Sequence, residues 1–231
     1  MCGRYILSSS PSDISEHFGV DVRDNFPPRY NIAPTQPIGI IRINEMRLTE
    51  YALVRWGLIP SWMKEEKGRP LTNARAETVR EKPSFRSAIK RRRCLVPANG
   101  FYEWTGDAGK KQPWHITGPG GSLFALAGIW ESTLSDNGSE VETVAILTVA
   151  AGSDMAKLHG REPVVIDPEN YTQWLEADER DTHLIDPMLV ARRAGFWTAT
   201  PVSTDVNNVR NEGVHLISPI EYREFKSDLF D

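Results

Sequence analysis

Short apolar runs rich in β-branched residues recur along the chain at 38–43, 47–56, 94–97, 101–105, 123–130 and 141–150. Gly, Pro, Asn or Asp bounds each of them, the punctuation expected of strands. Asp136-Asn137-Gly138 reads as the turn between the last two. Helical patterning is scarcer. Ser10 followed by Pro11 predicts a helix to Phe18, with the serine as cap and the proline in the first turn. Further helices are expected over 83–92 and over 168–177, the second opened by Asp167-Pro168. A Pro-rich extended segment covers 25–36, and short strands are expected at 164–166 and 196–202. No repeat or low-complexity linker breaks the order. The pattern predicts a single α+β domain over 1–231 with its core in 2–220, a β-rich, barrel-like sheet with peripheral helices.

Composition narrows the function classes. A chain of 231 residues, 40% hydrophobic and 25% charged, has the make-up of a soluble globular protein with a sizeable core. Two cysteines, Cys2 and Cys94, leave no disulfide framework and no zinc cluster, which points to a reducing cytoplasm. No apolar run is long enough to span a membrane, and no signal peptide is expected. Neither metal nor cofactor is called for, and a monomer is expected. The net charge of −4 argues against a basic coat for nucleic acid while leaving room for a local basic groove.

The most distinctive chemistry is at the start. Trimming of Met1, which a small second residue permits, exposes Cys2 with a free α-amine and a thiol on adjacent carbons. That pair attacks an aldehyde twice: the amine forms an imine and the thiol closes it to a five-membered thiazolidine. Near neutral pH much of an α-amine, pKa about 7.7–8.0, is unprotonated, and the thiol needs a modest pKa depression or a nearby base to react. A small buried hydrophobe at a strand start is the competing reading for Cys2.

Other segments carry two readings each. Asn73-Ala74-Arg75-Ala76-Glu77-Thr78 offers an amide and a guanidinium fork suited to phosphate, or a capped helix entry with a solvated Arg–Glu pair. In Gly100-Phe101-Tyr102-Glu103-Trp104, alternation puts Phe101 and Glu103 on one face and Tyr102 and Trp104 on the other. Glu103 is then either a carboxyl pressed against rings, able to shuttle protons, or an exposed edge residue. His159-Gly160-Arg161 pairs an acid–base group with a phosphate-binding one, or caps the preceding helix. Arg86 with Lys90-Arg91-Arg92-Arg93 is a solvated helix end or a nucleic-acid contact. Trp62, ahead of the 64–70 stretch, is placed to stack on a base, whereas Trp56 reads as core.

In order and spacing, Cys2-Gly3-Arg4, Arg29-Tyr30-Asn31-Ile32-Ala33-Pro34, Trp56-Gly57-Leu58-Ile59-Pro60, Asn73 to Thr78 and Arg93-Cys94-Leu95-Val96-Pro97 resemble the SRAP (SOS-response-associated peptidase) family. Gly100 to Trp104, His159-Gly160-Arg161 and Val202 to Asn207 extend the resemblance over nearly the whole chain. It implies a β-rich α+β pseudo-barrel and a sensor of abasic sites in single-stranded DNA that crosslinks itself to the lesion through Cys2. It also implies roles. Asn73 orients the sugar and Cys2, Glu103 manages protons at the amine and imine, and His159 helps open the sugar ring. Arg4, Arg75 and Arg161 grip flanking phosphates, and Trp62 stacks near the break in the strand. A nucleoid-associated location follows when DNA is bound. The competing functions are a thiol peptidase with Cys2 as nucleophile and a non-catalytic binder of modified DNA. Two positions depart from the family pattern: Glu162 stands where Met is common, and Met63 follows Trp62 where some relatives have a second Trp.

Overall fold

The computed structural model describes residues 2–63, 70–107, 110–134 and 138–222. In chain order, β1 (Tyr5–Leu7) and α1 (Pro11–Phe18) lead to β2 (Arg29–Ile32), β3 (Pro37–Ile43), β4 (Thr49–Trp56) and β5 (Asn73–Arg75). Next come α2 (Ala88–Arg91), β6 (Arg93–Ala98), β7 (Gly100–Thr105), β8 (Gln112–Thr117), β9 (Phe124–Leu134) and β10 (Glu140–Ala150). The last elements are α3 (Ser153–Ala156), β11 (Arg161–Pro163), β12 (Val165–Ile166), α4 (Tyr171–Glu176) and β13 (Thr198–Pro201).

Five strands close into a barrel: β10 pairs with β4, β4 with β3, β3 with β6, β6 with β9, and β9 returns to β10. Closure removes the unpaired edges that an open sheet would present. The barrel is the α+β, β-rich arrangement expected from the sequence. β6 is buried along its whole length, because its outer side is covered as well: Trp174 of α4 donates its indole N–H to the Cys94 carbonyl at 2.9 Å. Cys94 faces Gly128 on β9 so closely that a Cβ there would lie 2.7 Å from its sulfur. Beyond the barrel, β10 continues between β5, which runs parallel to it, and β11, which runs antiparallel; Thr148 is level with both Arg75 and Pro163.

A second, antiparallel sheet has the order β13-β8-β7-β1-β2. Tyr5 and Phe101 turn toward the barrel and join its core, Tyr5 meeting Trp56 edge-on at 5.4 Å. Ile6 and Tyr102 turn the other way and pack with Val202, Val206 and Leu216 of the C-terminal segment. The start of the chain is thus held inside the molecule, between a barrel and a lid of late residues.

The α1 boundary is as expected: Ser10 and Asp13 form a reciprocal capping box, and Gly19 ends the helix in the left-handed region. The helix expected over 83–92 shortens to α2. Ser87 gives it no side-chain cap, turns occupy 83–87, and Arg93 already belongs to β6. The helix expected over 168–177 is a 3₁₀ turn followed by α4. β8 is not marked in the sequence, since Pro113 reads as a strand breaker; its neighbours β7 and β13 hold it in place. The turn at Asp136-Asn137-Gly138 falls largely outside the described residues, as does the 64–70 stretch; β9 and β10 pair up to Leu134 and Glu140. Among the described residues no helix is long and apolar enough to cross a membrane.

The second half of the basic run 90–93 is turned into the fold, while Lys90 and Arg91 stay exposed. Arg93 is buried and donates to the carbonyls of Trp174, Ile89, Lys90 and Ala177. Arg92 clasps the buried Glu131 at 2.7 Å, and Arg91 pairs with Glu179.

His115 of β8 carries a consequence for stability. Burial pushes its imidazole down to about 4. Acid therefore protonates the unfolded chain before the folded one. Stability is fully present above pH 6.5 and is lost as pH falls toward about 4, by up to about 1.4 kcal/mol per pH unit. Replacing His115 by Gln should flatten this slope between pH 6.5 and about 4, read from urea midpoints at several pH values.

Candidate active site

Cys2 is fully buried in the principal core. The Asn73 amide nitrogen donates to the Cys2 carbonyl at 3.0 Å and to the Thr72 hydroxyl at 3.1 Å. The Asn73 amide oxygen is buried and has no hydrogen-bond partner among the described residues. Pairing of β5 with β10 places Asn73 here, level with Ile146. The capped-helix reading of this segment is therefore wrong: Asn73 is a strand residue, and the 3₁₀ turn that starts at Ala76 has no side-chain cap.

Glu103 is buried on the barrel side of β7, the side that alternation assigned to it. Burial pushes the Cys2 thiol well above its ordinary range, and the nearby Glu103 charge pushes it further; the Arg4 backbone N–H, donated to the sulfur, opposes them weakly. The thiol is therefore protonated at neutral pH. A Cys2 thiolate standing ready, as the sequence allowed, is not what the fold provides.

Arg4 lies on the opposite face of β1. Its guanidinium donates to the Asn31 side-chain oxygen at 2.6 Å and to the Val206 carbonyl at 2.8 Å, and it stacks over Trp104 at 5.7 Å. Asn31, fully buried, donates in turn to the carbonyls of Val206, Asn208 and Asn211. Trp104 donates to Asn207 at 2.7 Å. Arg4, just ahead of β1, and Asn31 of β2 thus pin the segment 206–211 against this strand pair.

His159 follows α3, its backbone N–H closing onto Met155 at 2.9 Å. Its Nδ1 accepts the Arg161 backbone N–H at 3.0 Å. The same Nδ1 lies 3.2 Å from the Arg161 carbonyl, so the ring is held by its Nδ1 edge against the Arg161 backbone. Arg161 reaches across β10: Nη1 and Nη2 grip Glu77 at 2.6 and 2.8 Å, and Nη2 also meets the Thr148 carbonyl at 2.5 Å. The Arg161 fork holds the Glu77 carboxyl down at about 2. Glu77 thus pairs with Arg161 and not with Arg75. Arg75 is exposed and without a partner among the described residues. Trp62 is 61% exposed on the turn after Pro60, and the bridge from Leu58 to Leu71 ties that turn to the approach to β5.

Glu162 points away from Arg161, as strand alternation permits. It is buried, and its carboxylate accepts the backbone N–H of Gly152 at 2.8 Å and of Arg192 at 2.7 Å. Its charge ties loops together and leaves the phosphate side of Arg161 alone.

The structure therefore brings Cys2, Asn73 and Glu103 together, links His159 to Arg161, and links Arg161 to the turn after β5. Arg4 is set behind the thiol, and Trp62 and Arg75 are exposed. Asn31 and Glu77 were missed as positioning residues. Both sit inside quoted motifs, but their partners are 175 and 84 residues away for Val206 and Arg161.

The fold thus joins a closed barrel to a second sheet and buries Cys2 near an amide, Asn73, and a carboxylate, Glu103. The chain belongs to the SOS response associated peptidase (SRAP) family, whose model matches residues 1–209. It is 39% identical over 222 residues to the abasic site processing protein YoqW of Bacillus subtilis, covering 94% of this chain and 99% of that one. It is 30% identical over 229 residues to the abasic site processing protein YedK of Escherichia coli, covering 95% and 100%. With the abasic site processing protein HMCES of Gallus gallus the match is 35% over 193 residues, covering 73% and 57%. Among solved structures, a Bacteroides thetaiotaomicron protein shares the fold with a TM-score of 0.81 at 24% identity, covering 95% and 100%. A Bordetella bronchiseptica protein does so with 0.75 at 26%, covering 87% and 100%.

Proposed function

We propose that this chain captures abasic sites in single-stranded DNA as a covalent adduct on Cys2, shielding the lesion. The ring-opened abasic sugar presents an aldehyde. The Cys2 α-amine, freed by loss of Met1, adds to it and expels water to give an imine. The thiol then adds across the C=N bond: sulfur bonds to carbon, the nitrogen gains the thiol proton, and the ring closes.

The observation that carries this reading is the Asn73 hydrogen bond to the Cys2 carbonyl, with the Glu103 charge near enough to act on the thiol and the Asn73 acceptor buried and unsatisfied among the described residues. An unpaired buried acceptor costs about 1–3 kcal/mol, and a hydroxyl of the opened sugar or the Cys2 amine would satisfy it. The protonated thiol sets the order: amine first, sulfur second, with Glu103 taking the proton in between. His159 serves as the acid–base group for opening the sugar ring. Arg75 and Arg161 serve the flanking phosphates and Trp62 a neighbouring base; Arg4 acts on the strand's far side by holding the N-terminal segment and meets DNA only at the rim. The imine stage also opens a lyase route: the proton next to the imine carbon is lost, a C=C bond forms, and the 3′ phosphate departs with the electrons of its C–O bond. A general thiol peptidase fits less well, because burial and Glu103 keep the nucleophile protonated.

The test is a denaturing gel of Met1-processed protein with single-stranded DNA bearing one abasic site. A shifted band that survives denaturation, present on abasic DNA and absent on intact DNA, is expected. Equal behaviour on both DNAs would leave only a binding module.

A further inference from the structure

The contact between Arg161 and Glu77 is built like an anion site with its anion already in place. Nη1 of Arg161 and the Ala150 backbone N–H converge on one Glu77 oxygen, at 2.6 and 3.2 Å, while Nη2 takes the other at 2.8 Å. Arg75 is level with Thr148, the residue whose carbonyl and hydroxyl also receive Nη2. A guanidinium fork, a backbone N–H and a nearby unpartnered cation form the donor set that recognises a phosphodiester. The Arg161 side chain is 16% exposed and that of Glu77 47% exposed, so Glu77 is the partner that can swing into solvent while the arginine stays.

We propose that Glu77 is an internal stand-in for a DNA backbone phosphate: it occupies the Arg161–Ala150 site in the free protein, yields it to a phosphodiester of single-stranded DNA, and so penalises strands that offer no reacting sugar. The proposal rests on the reading above in which Arg161 meets DNA. A half-exposed ion pair in water is weak, so its opening is a small obstacle where a covalent bond follows. On intact DNA nothing follows, and the competition is felt in full. Glu77 thereby becomes a specificity-determining residue for the proposed capture reaction, and it keeps the Arg161 fork aligned until DNA arrives.

Glu77→Gln removes the competing charge and keeps the side-chain size. By fluorescence anisotropy on an intact single-stranded oligonucleotide, Glu77→Gln should bind about three- to tenfold tighter than wild type, the gain expected from removing a weak competing ion pair. Unchanged or weaker binding by Glu77→Gln would overturn the proposal, leaving Glu77 as a brace for Arg161. Glu77→Asp, which keeps the charge but shortens its reach, should shift affinity in the same direction by less and covers the case of a poorly folded amide variant. Arg161→Gln separates the two layers. Where Arg161 meets DNA, its loss lowers affinity and reduces the slope of log K against log salt by about 0.7. No change in either would remove the underlying reading and the proposal with it. A loss there, without a gain in Glu77→Gln, would remove the proposal alone.

Discussion

Cys2→Ala eliminates the denaturation-resistant adduct with abasic DNA. The substitution removes one sulfur from a buried position, so folding should change by no more than about 1–2 kcal/mol, as for a modest core truncation. What it removes chemically is the ring closure. After Met1 is trimmed, the N-terminal alanine of the variant would still carry an α-amine able to form an imine, which water reverses. The wild-type adduct therefore appears without a reductant. The variant shows a band only when borohydride is present to reduce the imine to a stable amine. Cys2→Ser should behave as Cys2→Ala does, since an alkyl hydroxyl beside the buried Glu103 is a far poorer nucleophile than sulfur. A variant band of wild-type intensity in the absence of borohydride would sink the thiol's role. Loss of the band even with borohydride would show that the substitution harms positioning as well as chemistry.

Glu103→Gln should slow covalent capture by about 10²–10⁴-fold, the usual worth of a positioned acid–base group. The same change should make the Cys2 thiol easier to ionise. The Glu103 charge helps hold that thiol in its protonated form, second to burial itself, and a neutral amide lifts that contribution. The two readouts therefore move in opposite directions: alkylation of Cys2 by a small thiol reagent quickens while crosslinking slows. A carboxylate that served only as packing would change neither in this pattern. Capture at the wild-type rate by a folded Glu103→Gln protein would dismiss the proton-transfer role. Mass spectrometry of the alkylated N-terminal peptide distinguishes Cys2 from Cys94, which is buried between strands and free.

Much of this was legible in the chain because local physics set it. The Ser10–Asp13 capping box and the left-handed Gly19 define α1 without help from distant residues. Apolar β-branched runs marked the barrel strands β3, β4, β6, β9 and β10 before their partners were known. Alternation correctly put Glu103 with Phe101 and away from Trp104. The weakly marked strands were another matter. β1, β5 and β11 are three residues each, too short to show a period, and they exist because a neighbour offers them a ladder. That is why Asn73 looked like a helix entry. The run from Lys90 to Arg93 shows the same limit. Its charge suggested a surface, yet Arg93 is enclosed by four carbonyls, two of them, those of Trp174 and Ala177, brought to it only when α4 packs.

By itself the sequence determined the chemistry on offer and the family to which the chain belongs. A cysteine at position 2, a carboxylate among aromatics and a His-Gly-Arg step are properties of residue types and their order. The tertiary structure decided how those groups behave. It buried Cys2 against Glu103 and so kept the thiol protonated. It turned Arg4 to the far side of its strand and closed Arg161 onto Glu77. Each of these depends on electrostatics and hydrogen bonding between residues far apart in the chain, and such terms take their values only when folding excludes water and fixes the distances.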